Sequence, residues 1–80
     1  MSAAAEIAAR RSTASWRWEA IPLLDGTMGL GADLVATDGQ KLASCLFDGN
    51  GDIDSDGCGV FDDGGEVDWP SADDCPEGVL

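Results

Sequence analysis

The sequence contains no histidine and no tyrosine. Without histidine the chain lacks the commonest general base at neutral pH and the commonest metal ligand. Cations are scarce too, with 4 Lys or Arg in 80 residues. A chain so poor in positive charge repels phosphates, which excludes direct nucleic-acid binding and attraction to anionic membranes. No apolar run approaches the ~20 residues that span a bilayer. Cys45, Cys58 and Cys75 include no C-x-x-C pair, and with no histidine they outline no zinc site. No thiol has an imidazole partner, so nucleophilic catalysis is not expected. The paired carboxylates Asp62-Asp63 and Asp73-Asp74 are read as solvated rather than tuned for acid–base work. A non-enzyme without a cofactor is expected.

The N-terminal run from Met1 to Ile7 has neither a basic n-region nor a long apolar h-region, so it does not read as a secretory signal. Together with the odd cysteine count, this predicts a cytoplasmic protein with three buried thiols. One disulfide with one free thiol is the alternative.

What the chain has in quantity is acid: 16 Asp or Glu and a formal net charge of −12. The charge is uneven. Residues 1–23 hold Arg10, Arg11 and Arg17 against Glu6 and Glu19, which sums to +1. Residues 24–80 hold Lys41 against fourteen acids, which sums to −13. From Asp48 to Glu77 there are eleven acids and no base. A net charge of ~2–8 keeps a small domain soluble, and more costs stability through self-repulsion. The excess therefore points to a partner. The apolar share of 44 % favours one folded domain over residues 1–80 rather than an acidic tail.

Residues 2–11 read as a short alanine-rich helix. Ser2 can cap it, Glu6 and Arg10 can pair at i, i+4, and Ser12-Thr13 marks its end. From Ser15 to Ile21 the pattern alternates as a strand does. Trp16, Trp18 and Ala20 point one way, Arg17, Glu19 and Ile21 the other, and Pro22 limits the pairing. Asp38-Gly39 suits a two-residue type I′ hairpin turn, which sets Thr37 opposite Gln40, Val35 opposite Leu42 and Leu34 opposite Ala43. One face of that hairpin carries Leu30, Ala32, Leu34, Ala36, Ala43, Cys45 and Phe47, and belongs to the core. The mixed second face is available to the helix. Residues 48–57 are expected to be a loop or a frayed edge. Cys58 to Phe61 and Glu66 to Trp69 are read as a second hairpin. Pro70 ends it, and Ser71 caps one turn through Ala72-Asp73-Asp74. The predicted fold class is α+β, a short N-terminal helix packed on an antiparallel sheet of three to five strands.

Two constellations carry possible function. Asp52-x-Asp54-x-Asp56-Gly57, followed by Asp63, resembles an EF-hand calcium loop. It departs from that family at Asp63, which stands for the longer Glu, at Gly59, which stands for a branched apolar residue, and in its non-helical flanks. The second constellation is the acidic half as a unit. Alternate residues of a strand lie ~6.6 Å apart on one face. An extended segment would align Asp52, Asp54 and Asp56, with Glu66 and Asp68 as a shorter row. Carboxylates at that spacing are of the same order as phosphates along a nucleic-acid strand, and they suit Lys and Arg donors.

In size, acidity, lack of histidine and lack of catalytic motifs, the chain resembles the small acidic inhibitors of bacteriophages, nearest to the DNA-mimic anti-CRISPR proteins. The resemblance is one of composition and covers no diagnostic motif. It implies a viral protein of the host cytoplasm that docks on a basic nucleic-acid-binding protein, such as a CRISPR effector subunit, and blocks target DNA. The residues expected to bind that partner are Asp52, Asp54, Asp56, Asp62, Asp63, Glu66, Asp68, Asp73 and Asp74. Reversing the charge of Asp62, Asp63, Asp73 and Asp74 is expected to weaken inhibition and leave the fold intact. No metal, nucleic acid or membrane partner is expected, and the protein is read as a monomer. The alternatives are a calcium-binding module and a small structural subunit that docks through Trp16 and Trp18.

Overall fold

Alternating apolar residues set up the sheet. In the computed structural model, which describes residues 3–79, α1 (Ala3–Thr13) is followed by β1 (Ser15–Pro22), β2 (Met28–Val35), β3 (Lys41–Phe47) and β4 (Ile53–Val60). The strands form one antiparallel meander in the order β1-β2-β3-β4. A short 3-10 turn, Ala72–Asp74, follows after an irregular stretch. The α+β arrangement with a four-stranded sheet agrees with the expected class.

All seven residues of the predicted core face are buried, and Ala32, Ala43 and Cys45 have no exposed surface. The register explains why β1 joins them. Trp16 lies opposite Leu34 and Trp18 opposite Ala32, so both indoles share the core face. Trp18 meets the ring of Phe47 at 5.7 Å, and Trp16 meets Trp69 at 6.0 Å. The indoles are thus packing groups, half-buried, rather than an open docking platform. The C-terminal stretch closes this face as a strap. Val67 and Trp69 pack over Leu34, Ala36 and Ala43, while Ala72, Cys75 and Val79 pack over Leu30, Ala32 and Phe47.

Several local expectations are corrected. The β2–β3 turn is not type I′, which needs positive φ at both central residues. Only Gly39 has positive φ, at 90°, and Ala36 N–H donates to the Gln40 carbonyl. The loop therefore holds three residues and a bulge. Leu34 still faces Ala43, but Val35 faces Lys41 instead of Leu42. Val35 and Leu42 are both buried, so the second face is less mixed at this end.

The proposed hairpin of Cys58–Phe61 with Glu66–Trp69 does not form. Cys58 to Val60 belong to β4, where Gly59 and Val60 pair with β3, and Phe61 N–H extends that ladder to the Leu42 carbonyl at 2.8 Å. Residues 61–71 contain no strand. Val67 and Trp69 pack over the core instead. The 3-10 turn forms as expected, with the Asp74 carboxylate accepting the Ser71 N–H at 3.0 Å.

Two cysteines are not thiols. Cys45 and Cys58 are bonded across β3 and β4, and Cys75 is free. The register allows this, because Cys45 faces the Ser55–Cys58 stretch between the Ser44↔Gly59 and Leu46↔Asp54 pairs.

The helix runs two residues beyond the expected end, to Thr13, whose hydroxyl bonds back to the Ala9 and Arg10 carbonyls. Its proposed Ser2 cap lies outside the described residues. Arg10 does not pair with Glu6 but reaches Asp38 and Gln40 at the β2–β3 turn. The helix contacts fall there and at residues 62–66, at one end of the sheet rather than across its second face.

Candidate partner-binding interface

The eleven acids from Asp48 to Glu77 lie along the β4 edge of the sheet and in the strap beside it. Ten of the eleven acids from Asp48 to Glu77 are exposed, the exception being Asp62. No base lies in this part of the chain. Strand β4 is one of the two edge strands, with β1 at the other edge, so one of its sides pairs with no strand.

The expected row along Asp52, Asp54 and Asp56 is broken. Asp52 closes the β3–β4 turn, where its carbonyl accepts the Asp48 N–H and its own N–H meets the Asp48 carboxylate. Beyond it one residue of β3, Cys45, faces four of β4, Ser55 to Cys58. The surplus residues bulge, and the Asp54 carboxylate curls back to accept the Asp56 N–H at 3.1 Å. A regular pleat would leave that carboxylate pointing outward. Glu66 and Asp68 are exposed but sit in irregular backbone, so they form no strand row either.

The carboxylates divide by what they already hold. Asp48, Asp54, Asp62 and Asp74 accept backbone N–H groups nearby. Among the described residues, Asp52, Asp56, Asp63, Glu66, Asp68, Asp73 and Glu77 make no side-chain hydrogen bond or ion pair within the protein. These seven are the groups free to meet a cation.

Asp62 has a different task. Both its oxygens take the Arg11 guanidinium, Nε at 2.9 Å and Nη2 at 2.5 Å, and it also accepts the Gly64 N–H at 3.0 Å. The two side chains are only 19 % and 13 % exposed. The hydrogen bond from Arg11 pulls the Asp62 carboxyl below its ordinary range, and the same bond raises Arg11. Arg11 also donates to the Glu66 carbonyl at 2.8 Å and the Gly65 carbonyl at 3.0 Å. Asp62 is therefore a tie between α1 and the acidic stretch. Reversing its charge would set two like-signed or unpaired groups in a half-buried site, so it does not belong with Asp63 and Asp73 as a fold-neutral change. Sequence reasoning had no signal for this pair, whose members are separated by 51 residues.

The calcium-loop pattern is not folded as such a loop. Ile53–Val60 is a bulged strand that holds only Asp54 and Asp56, with Asp52 and Asp63 beyond its two ends, so the aspartates do not wrap around a point. Among the described residues no three His, Cys, Asp or Glu side chains converge as a metal site. Likewise, no described helix is long and apolar enough to cross a membrane.

A further feature lies beside the strap. A cavity of about 310 Å³ opens between α1, β1 and residues 66–68, lined by Arg11, Ala14, Trp16, Leu34, Glu66, Val67 and Asp68. Compared with protein-family models, with curated proteins and with solved structures, the chain matches none of them.

Proposed function

We propose that this protein is a non-catalytic inhibitor whose acidic half occupies a basic nucleic-acid-binding site, in the manner of a DNA mimic of the anti-CRISPR class. The observation that carries this reading is the one-sided exposure of acid. Ten carboxylates from Asp48 to Glu77 face solvent with no base among them, and among the described residues the one cation that hydrogen-bonds into the region, Arg11, is held by Asp62. Such a surface steers toward a positive groove and speeds encounter, and the effect falls as salt rises. The bulge and turns of this edge do not reproduce a regular phosphate repeat. The mimicry rests on charge density and on the reach of partner side chains, not on a register of rows.

A host-cytoplasm site of action belongs to the same proposal. There the Cys45–Cys58 bond would meet a reducing pool, since disulfides persist mainly in oxidising compartments. Inhibition should then survive reduction, because the exposed acids flank the bond without being part of it.

The test is competition. Fluorescent target duplex bound to guide-loaded CRISPR effectors is titrated with this protein, with and without reductant. Release of duplex at equimolar protein, weakened by raising salt from 0.1 to 0.5 M, supports the reading. Duplex retained by every effector type at saturating protein removes it.

A further inference from the structure

The cavity beside the strap has a composition suited to one kind of side chain. Ala14, Trp16, Leu34 and Val67 are its apolar lining residues, beside a larger share of polar surface. Its rim carries the exposed acids Glu66 and Asp68. The one cation in its lining, Arg11, already gives four of its five N–H donors to Asp62 and to the Gly65 and Glu66 carbonyls. Among the described residues neither rim carboxylate has a side-chain partner. An uncharged apolar ligand would leave both acids idle, and an anion would meet them with repulsion. An amphipathic cation satisfies both parts, with its aliphatic stem against Val67 and Leu34 and its head between the acids and the indole of Trp16.

We infer that this groove is the anchor point for an arginine side chain of the partner protein. The inference rests on the proposed function only in taking the partner to be basic. It goes further in naming one pocket, one residue type and two contact acids out of the ten exposed. Arginine is favoured over lysine because its planar fork can engage a carboxylate while stacking on an indole.

The probe is the capped tripeptide Gly-Arg-Gly, with its citrulline counterpart as a neutral control of the same shape. Binding is followed by nuclear magnetic resonance through the Trp16 indole N–H and the amides of residues 66–68. The arginine peptide is expected to shift these signals first, with the citrulline peptide at least tenfold weaker. The E66Q/D68N double variant should weaken the arginine peptide at least fivefold, whereas D73N/D74N should change it less than twofold. Equal shifts across Asp52–Asp56 and Asp73–Asp74, or equal binding of both peptides, would overturn the assignment. Two failures can be told apart. If the peptide binds the groove but no effector releases duplex, the inhibitor reading falls and the groove stands. If duplex is released but the peptide does not select the groove, the groove falls alone.

Discussion

Arg11 and Asp62 join the two charge halves of the chain. The pair fixes the helix to the acidic stretch through two side-chain bonds, and Arg11 adds two bonds to backbone carbonyls. Truncating Arg11 to Ala leaves Asp62 half-buried without its cation, which should cost about 2 kcal/mol. For a domain of this size that is roughly 10 °C in the thermal midpoint. The pH dependence has a definite sign. The folded Asp62 is depressed below its unfolded value of about 3.9, chiefly by the bond from Arg11. Its contribution is full above that unfolded value and is lost as pH falls through the folded one. Protonating the other acids relieves repulsion and acts in the opposite direction, so the informative quantity is the difference between wild type and D62N. That difference should shrink on acidification below about pH 4 in urea-melt series, and a constant difference would contradict the assignment.

Two glycines of β2 separate backbone from side-chain constraint. A Cβ at Gly29 would run into the Phe47 carbonyl oxygen, which the sheet holds in place. A Cβ at Gly31 would meet the tip of Ile21 at 2.5 Å, and that tip can rotate away. G29A should therefore destabilise by ~1–3 kcal/mol, and G31A by clearly less, as denaturant midpoints would show.

Among the elements, β1 to β3 were the most legible. Alternation from Ser15 to Ala20, within the strand expected over Ser15 to Ile21, and the seven-residue core face of β2 and β3 marked strands and their inward side, because period two is a direct image of the pleat. The position of the β2–β3 turn was legible from Asp38-Gly39, but its type was not, since a single positive φ at Gly39 admits a three-residue loop. Strand β4 was obscured by its own composition. Ile-Asp-Ser-Asp-Gly-Cys-Gly-Val has little intrinsic strand preference, and it is held by the edge of β3 and by the Cys45–Cys58 bond. Those are tertiary facts that a local pattern does not carry. The same holds for Glu66–Trp69, whose short alternation suggested a strand but whose apolar residues close the core as a strap. Six of the seven free carboxylates of the candidate interface were named from charge alone, Glu77 was not, and the structural duty of Asp62 needed the fold. The disulfide closes a loop between residues 13 apart, for which chain entropy gives ~3 kcal/mol. Reduction should lower the midpoint without abolishing the sheet. Strand signals lost by circular dichroism at 20 °C in reductant would show that β4 depends wholly on the bond.

For the molecule as a whole, a net charge of −12 is carried on a body measuring 47 × 25 × 18 Å. Self-repulsion on that scale opposes folding, and salt screens it. Raising sodium chloride from 0.05 to 0.5 M should therefore raise the thermal midpoint while weakening attachment to a basic partner. The opposite signs distinguish a surface held acidic for binding from one stabilised by its own ion pairs. In the proposed inhibitor, the seven uncommitted acids, rather than the chain's overall acidity, bind the partner. The most direct measurement replaces Asp56, Asp63, Glu66, Asp68 and Asp73 by their amides, leaves Asp62 and Asp74 in place, and titrates both proteins against duplex bound to guide-loaded CRISPR effectors. The wild type is expected to release duplex, and the variant, with an unchanged circular dichroism spectrum, to need at least tenfold more protein to do so. A folded variant that releases duplex as well as the wild type would contradict it.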